Sequence, residues 1–220
     1  MKRTSYLSQW PFLALLFLIA NGCSGGTPVA PVTAYDAYGG LDYHQIQFKD
    51  NVKTNAATDA SIADLTFTDI NGETYSLADF RDKKHVVLVV TRGFAGSICL
   101  YCATQTSRLL TNYKKFGDRD AEVVVVIPIE TPDDSRRHRD FAVNVKNKLD
   151  TPPEKIPFPI VLDVELKAVD QLGIRKDLSK PATYIIDKAG QVRFAYVGES
   201  LADRPSVKAL LEQLDGLNQP

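Results

Sequence analysis

Apolar and polar positions fall into blocks along this chain of 220 residues. Val86-Val87-Leu88-Val89-Val90 and Val123-Val124-Val125-Val126-Ile127 run without polar alternation, the pattern of strands buried on both faces. Phe158-Pro159-Ile160-Val161-Leu162-Asp163 predicts a third such strand. Residues 182–187 and 191–197 predict two more, joined through the turn Lys188-Ala189-Gly190. Earlier in the chain, residues 65–69 and 73–77 flank Asn71-Gly72, a hairpin signal because both residues tolerate positive φ. Leu77-Ala78-Asp79-Phe80 is expected to add a helical turn.

Between the strands the spacing becomes helical. Leu109, Leu110, Tyr113 and Phe116 share a face in residues 104–116, which Gly117 ends. Phe141, Val145 and Leu149 recur every four residues in 134–149, a shorter helix is expected over 165–172, and residues 204–214 close the chain with another. The order β-α-β-α-β-α-β-β-α implies an α/β fold with one mixed central β-sheet flanked by helices on both faces. It occupies residues 59–217, long enough to bury a core without structural disulfides.

The start of the chain reads differently. Lys2 and Arg3 precede an apolar run from Trp10 to Ala20 that is too short to span a bilayer comfortably, so residues 1–22 are expected to be an export signal. Ala20-Asn21-Gly22-Cys23 resembles a bacterial lipobox, in which Cys23 would be acylated and become the new N-terminus. Ala20 stands where Leu, Val or Ile is usual, and Ala20-Asn21-Gly22 also suits an ordinary signal peptidase. Either route places the mature domain outside the cytoplasm. Residues 23–58, with Pro28, Pro31, Gly39 and Gly40 and no sustained periodicity, are expected to be a flexible tether.

Charge adds little. Twenty-six basic and 27 acidic side chains give a formal net charge of −1, which excludes global attraction to nucleic acid or anionic lipid. Arg136-Arg137-His138-Arg139, bounded by Asp133-Asp134 and Asp140, reads as a solvated helix face rather than an anion patch.

The candidate chemistry lies in Cys99-Leu100-Tyr101-Cys102, where a buried strand gives way to a helix. Two thiols three residues apart meet within one helical turn and can carry two electrons. If Cys23 is lipidated, the other two of the three cysteines form the redox pair and none is left over. Cys99 is the expected nucleophile, since a helix N-terminus favours a thiolate. Cys102, one turn deeper, is expected to resolve the mixed disulfide. Arg92 is a candidate second source of positive potential, with a structural ion pair as the alternative.

The ordered set Asp69-x-x-Gly72, Leu77-x-Asp79-Phe80, Arg92-Gly93-Phe94 before Cys99-x-x-Cys102, Phe158-Pro159, Leu162-Asp163 with Ala168 and Gly173, and Pro181-Ala182-Thr183-Tyr184-Ile185-Ile186-Asp187 resembles the thioredoxin fold. More narrowly, it resembles the redoxin group of alkyl hydroperoxide reductase/thiol-specific antioxidant proteins and membrane-anchored thiol-disulfide oxidoreductases. The resemblance implies a thioredoxin-like fold, a cis Pro181 beside the disulfide, and backbone groups at Pro181 and Ala182 that hold a substrate chain as an added strand. Peroxiredoxins resemble one another in a Pro-x-x-x-Thr-x-x-Cys loop, where this chain has Arg92 and Gly96. They also carry an arginine where it has Pro181. Arg92 or Arg175 would have to substitute.

Thiol-disulfide exchange is therefore the leading expectation, with a thiol-dependent peroxidase as its alternative. A thioredoxin-fold protein binding zinc or delivering copper is a lesser one, for which the domain supplies only His85 and His138, each read as a surface or strand-end residue. A disulfide that merely braces the loop is disfavoured, because so short a loop removes little chain entropy. The expected partners are a protein or small-molecule disulfide, or a peroxide, together with a thiol reductant and a membrane reached through the lipid anchor. Nucleic acid, cofactor and metal are not expected.

Overall fold

The computed structural model describes residues 42–69 and 71–218. The export signal, Cys23 and the first part of the expected tether lie outside the described residues. No helix among the described residues is long and apolar enough to cross a membrane.

Seven strands form one sheet in the order β2-β1-β5-β4-β3-β6-β7. They are β1 (Thr66–Thr68), β2 (Thr74–Ser76), β3 (His85–Val90), β4 (Ala121–Ile129), β5 (Ile160–Val164), β6 (Ala182–Ile186) and β7 (Val192–Val197). The centre, β3-β4-β5, is parallel, whereas β1, β2, β6 and β7 join antiparallel. Every residue of β3 and β4 is buried, as their unbroken apolar runs require. Alternation sends Val87 and Val89 to one face and Val86, Leu88 and Val90 to the other, so each strand feeds two cores. Each of these valines contributes about 1.5–3 kcal/mol relative to exposure.

The helices are α1 (Leu100–Thr111), α2 (Tyr113–Gly117), α3 (Arg137–Lys146), α4 (Lys167–Gln171) and α5 (Val207–Leu217). The single helix expected over 104–116 is two, because the Asn112 side chain turns back to the Arg108 carbonyl at 2.9 Å. The closing helix starts three residues later than expected, at a Ser206 cap whose hydroxyl accepts the Ala209 N–H. At the β1–β2 turn Gly72 has φ +88°, and the Asp69 carboxylate accepts the N–H groups of Asn71 and Glu73 at 2.8 Å each.

From residue 42 onward the expected tether is laid on the domain. Lys49 N–H donates to the Arg204 carbonyl and Ser206 N–H to the Lys49 carbonyl, both at 2.8 Å. Asn55 brackets the end of β7 through both its side chain and its backbone. Arg108 donates to the Ile46 carbonyl and lies over the Phe48 ring. Polar composition suggested a loose segment, but here polar groups do the docking.

Candidate active site

The C-terminal end of β3 runs through residues 91–98 into Cys99, which caps α1. Gly93 is needed in that loop. Its φ is +85°, and a Cβ there would come within 2.5 Å of the Pro128 carbonyl oxygen on β4. The loop therefore packs against the sheet just ahead of the cysteine segment.

Cys99 and Cys102 are 2% and 1% exposed, and neither is in a disulfide. The Cys99 Sγ accepts the Cys102 N–H at 3.4 Å, which is the capping bond of the helix. The Cys102 Sγ accepts the Arg92 backbone N–H at 3.4 Å and an Arg204 guanidinium N–H at 3.1 Å. The positive groups therefore gather on the inner sulfur rather than the outer one. The hydrogen bond that Cys99 gives to Cys102, followed by burial, pushes the Cys99 thiol up. Burial opposes charge on Cys102, but the Cys99 S–H, the Arg204 guanidinium and the Arg92 N–H outweigh it and lower that thiol. In the reduced protein these donors favour a thiolate on Cys102 over one on Cys99.

A cavity of about 10 Å³ opens over the sulfurs, room for about one water. Phe94, Ile98, Ile127 and Phe141 make its wall apolar, and Arg137 closes it. Arg137 lies over the Phe94 ring at 4.2 Å and reaches Asp140 at 3.4 Å, while its buried Nε–H has no hydrogen-bond partner. The basic cluster is thus divided by helical periodicity. Arg136 and Arg139 face solvent, but Arg137 enters the thiol cavity and His138 is buried.

The other expected residues do not line the thiol cavity. The Arg92 side chain turns to Asp177 at 3.7 Å, so its backbone alone meets a thiol. Arg175 is bound to Asp170 through two 2.5 Å bonds. Pro181 is buried, and its carbonyl accepts the Gly198 N–H at 2.8 Å. It lines a neighbouring cavity of about 230 Å³ with Arg92, Lys176 and Glu199. No peptide bond among the described residues is cis, so Pro181 is trans, unlike the expected cis proline. Ala182 opens β6 between β3 and β7, and its flanks are already paired with Val90 and Val197. This leaves no edge there for an added strand.

His85, read as a strand-end residue, opens β3, and His138, read as a surface residue of the arginine cluster, lies on α3; both are buried. His85 Nε2 meets the Asn218 side-chain oxygen Oδ1 at 3.3 Å, and burial lowers the His138 pKa. Among the described residues no cluster of three or more His, Cys, Asp or Glu side chains is placed to hold a metal.

Sequence reasoning missed Arg204 and Gln105. Gln105 lies inside a helix with nothing to distinguish it. Asp203-Arg204-Pro205 reads as a polar helix start, and only the loop after β7 folds the guanidinium inward.

A family model described as AhpC/TSA family matches residues 58–195. Among solved structures, the chain is similar to peroxidoxin BcpB from Mycobacterium tuberculosis, with a TM-score of 0.57, 20% identity and coverage of 76% of this chain and 100% of that one. It is also similar to the mitochondrial 2-Cys peroxiredoxin from Plasmodium falciparum, with a TM-score of 0.55, 19% identity and coverage of 76% and 94%. A mutant of peroxiredoxin 6 of Arenicola marina gives a TM-score of 0.58 at 15% identity, covering 76% and 74%. At these identities the likeness carries the fold. No curated protein matches the chain.

Proposed function

This chain belongs to the AhpC/TSA family and is a thiol oxidoreductase, and we propose that its reaction is thiol-disulfide exchange outside the cytoplasm. Cys99 forms the mixed disulfide with the substrate; Cys102 attacks Cys99 to release a reduced substrate or, in the reverse direction, leaves Cys99 when a substrate thiolate opens the internal disulfide. The carrying observation is that the Arg204 guanidinium and the Arg92 backbone N–H both donate to Cys102. An inner sulfur held as thiolate is a ready attacking group when a mixed disulfide is resolved and a good leaving group when the internal disulfide is opened. When a substrate thiolate opens the internal disulfide, Cys99 is attacked and the charge belongs on the departing Cys102, whereas peroxide cleavage needs the thiolate and its cation on the attacking sulfur, and Cys99 is pushed up.

Peroxidase activity is the second reading. It is favoured by the family match, by a cavity too small for a protein chain, and by the unpartnered Arg137 Nε–H within it. The two readings separate when the reduced full chain, purified in detergent, is mixed with hydrogen peroxide or with a protein disulfide and thiol loss is followed. Faster loss with the disulfide is expected; faster loss with peroxide selects the second reading. Cys99→Ser should abolish the exchange, and Cys102→Ser should accumulate a trapped adduct. Turnover in Cys99→Ser would sink the mechanism.

The envelope location rests on Lys2, Arg3, the apolar run that follows and Cys23. The expected partners are a disulfide substrate, a thiol reductant and the membrane that receives the lipid. Mass spectrometry of the membrane fraction should show a diacyl or triacyl mass on Cys23, and an unmodified soluble protein would remove this part of the proposal.

A further inference from the structure

Arg204 is among the largest fully buried side chains of the fold, 1% exposed. Its Nε–H donates to the Leu201 carbonyl at 2.8 Å, one terminal nitrogen to the Gln105 side-chain oxygen at 2.6 Å, and the other to Cys102 Sγ at 3.1 Å. Among the described residues it makes no ion pair with a carboxylate. The adjacent Asp203 is engaged by Lys49 at 2.7 Å and by the Tyr196 hydroxyl at 2.6 Å. The backbone at Arg204 is fixed as well, since its carbonyl accepts the Lys49 N–H.

A guanidinium does not lose its proton in a protein. This buried cation therefore has one contacting group that can carry a negative charge, the Cys102 sulfur. That group changes with oxidation state. Beside the guanidinium it is favoured as a thiolate in the reduced protein, and it is a neutral sulfur in the disulfide, where among the described residues Arg204 keeps only two neutral oxygens and a buried charge without its counter-ion is costly.

Resting on the exchange reading above, we infer that Arg204 sets the direction of electron flow by favouring the dithiol form, so that the Cys99–Cys102 disulfide is an oxidant of substrate dithiols. A substrate thiolate attacks Cys99 Sγ. The new substrate–Cys99 bond forms as the Cys99–Cys102 bond breaks, and its electron pair leaves on Cys102 beside Arg204. A second substrate thiolate then attacks the substrate sulfur of the mixed disulfide and releases Cys99, which takes up a proton. The substrate is oxidised by two electrons to its disulfide, and the protein pair is reduced. Of the two substrate thiol protons, one ends on Cys99 and the other in solvent.

The test is redox equilibrium of the full chain, purified in detergent, in glutathione buffers of varied ratio, with the disulfide fraction read by thiol alkylation and mass spectrometry. Arg204→Met should lower the equilibrium constant for reduction about 10- to 100-fold, the range expected when one charge-assisted hydrogen bond is lost. Arg204→Lys, which keeps the charge, should stay closer to wild type. A constant unchanged in Arg204→Met would overturn the inference and leave the exchange reading standing. Failure of the wild-type pair to oxidise at any ratio would overturn the exchange reading and the inference with it. Should Arg204→Met fail to fold, the wild type alone decides: the reduced form should unfold at higher denaturant than the disulfide form, and the reverse order would overturn the inference.

Discussion

Asp163 and Arg204 are both ionisable and both buried, yet their surroundings satisfy them in different ways. The Asp163 carboxylate, near the end of β5, accepts the N–H groups of Ala168 and Val169 at 2.9 Å each. Its partners are backbone groups five and six residues away, and nothing about them changes during turnover. Burial raises the Asp163 pKa while those N–H groups hold it down. Arg204 instead depends on side chains 99 and 102 residues distant, one of them a sulfur with two oxidation states. A locally satisfied charge fixes structure, whereas a charge satisfied by a redox group ties stability to electrons.

One effect expected from this contrast is on stability. Asp163→Ala leaves two N–H groups without their acceptor and should cost about 2 kcal/mol. The loss should be the same in the reduced and disulfide forms, because neither Asp163 nor its partners meet the sulfurs. Denaturant unfolding of both forms checks this, and a loss confined to one form would break the comparison.

A second effect is expected from pH. The folded-state pKa of Cys102 is lowered from an ordinary value of 9.0 to about 6. A depressed pKa contributes stability that is present above the unfolded value and is lost as pH falls through the folded one. The stability of the reduced form relative to the disulfide form should therefore decline between pH 9 and pH 6 and level off below. A gap that widens on acidification would place the charge elsewhere.

The same contrast explains what could be read from the residues alone. Unbroken apolar runs gave the central strands because burial on both faces leaves no alternation to misread. Asn71-Gly72 and Leu162-Asp163 with Ala168 were legible because their chemistry is local. Cys99 and Cys102 were legible for the same reason, through their three-residue spacing. The partners of Cys102 were not. Arg204 reaches its sulfur only after β7 has been laid beside β6 and the following loop has folded back. Arg137 looked solvated because its neighbours in sequence are; helical geometry turns it alone toward Phe94 and the cavity. Pro181 was placed by analogy as a cis residue, but its bond is trans, and its carbonyl accepts the Gly198 N–H. The docking of residues 42–55 was hidden because hydrogen bonds from a polar segment leave no hydrophobic period.

The claim that joins these observations is that the inner sulfur carries the charge. Thiolate absorbance in the ultraviolet, followed against pH in the reduced Cys99→Ser and Cys102→Ser proteins, tests it most directly. The account expects the Cys99→Ser protein, which retains Cys102 beside Arg204, to keep a thiol that ionises well below the ordinary range, and the Cys102→Ser protein to lose it. A low-pKa thiol that persists in Cys102→Ser and vanishes in Cys99→Ser would contradict the account.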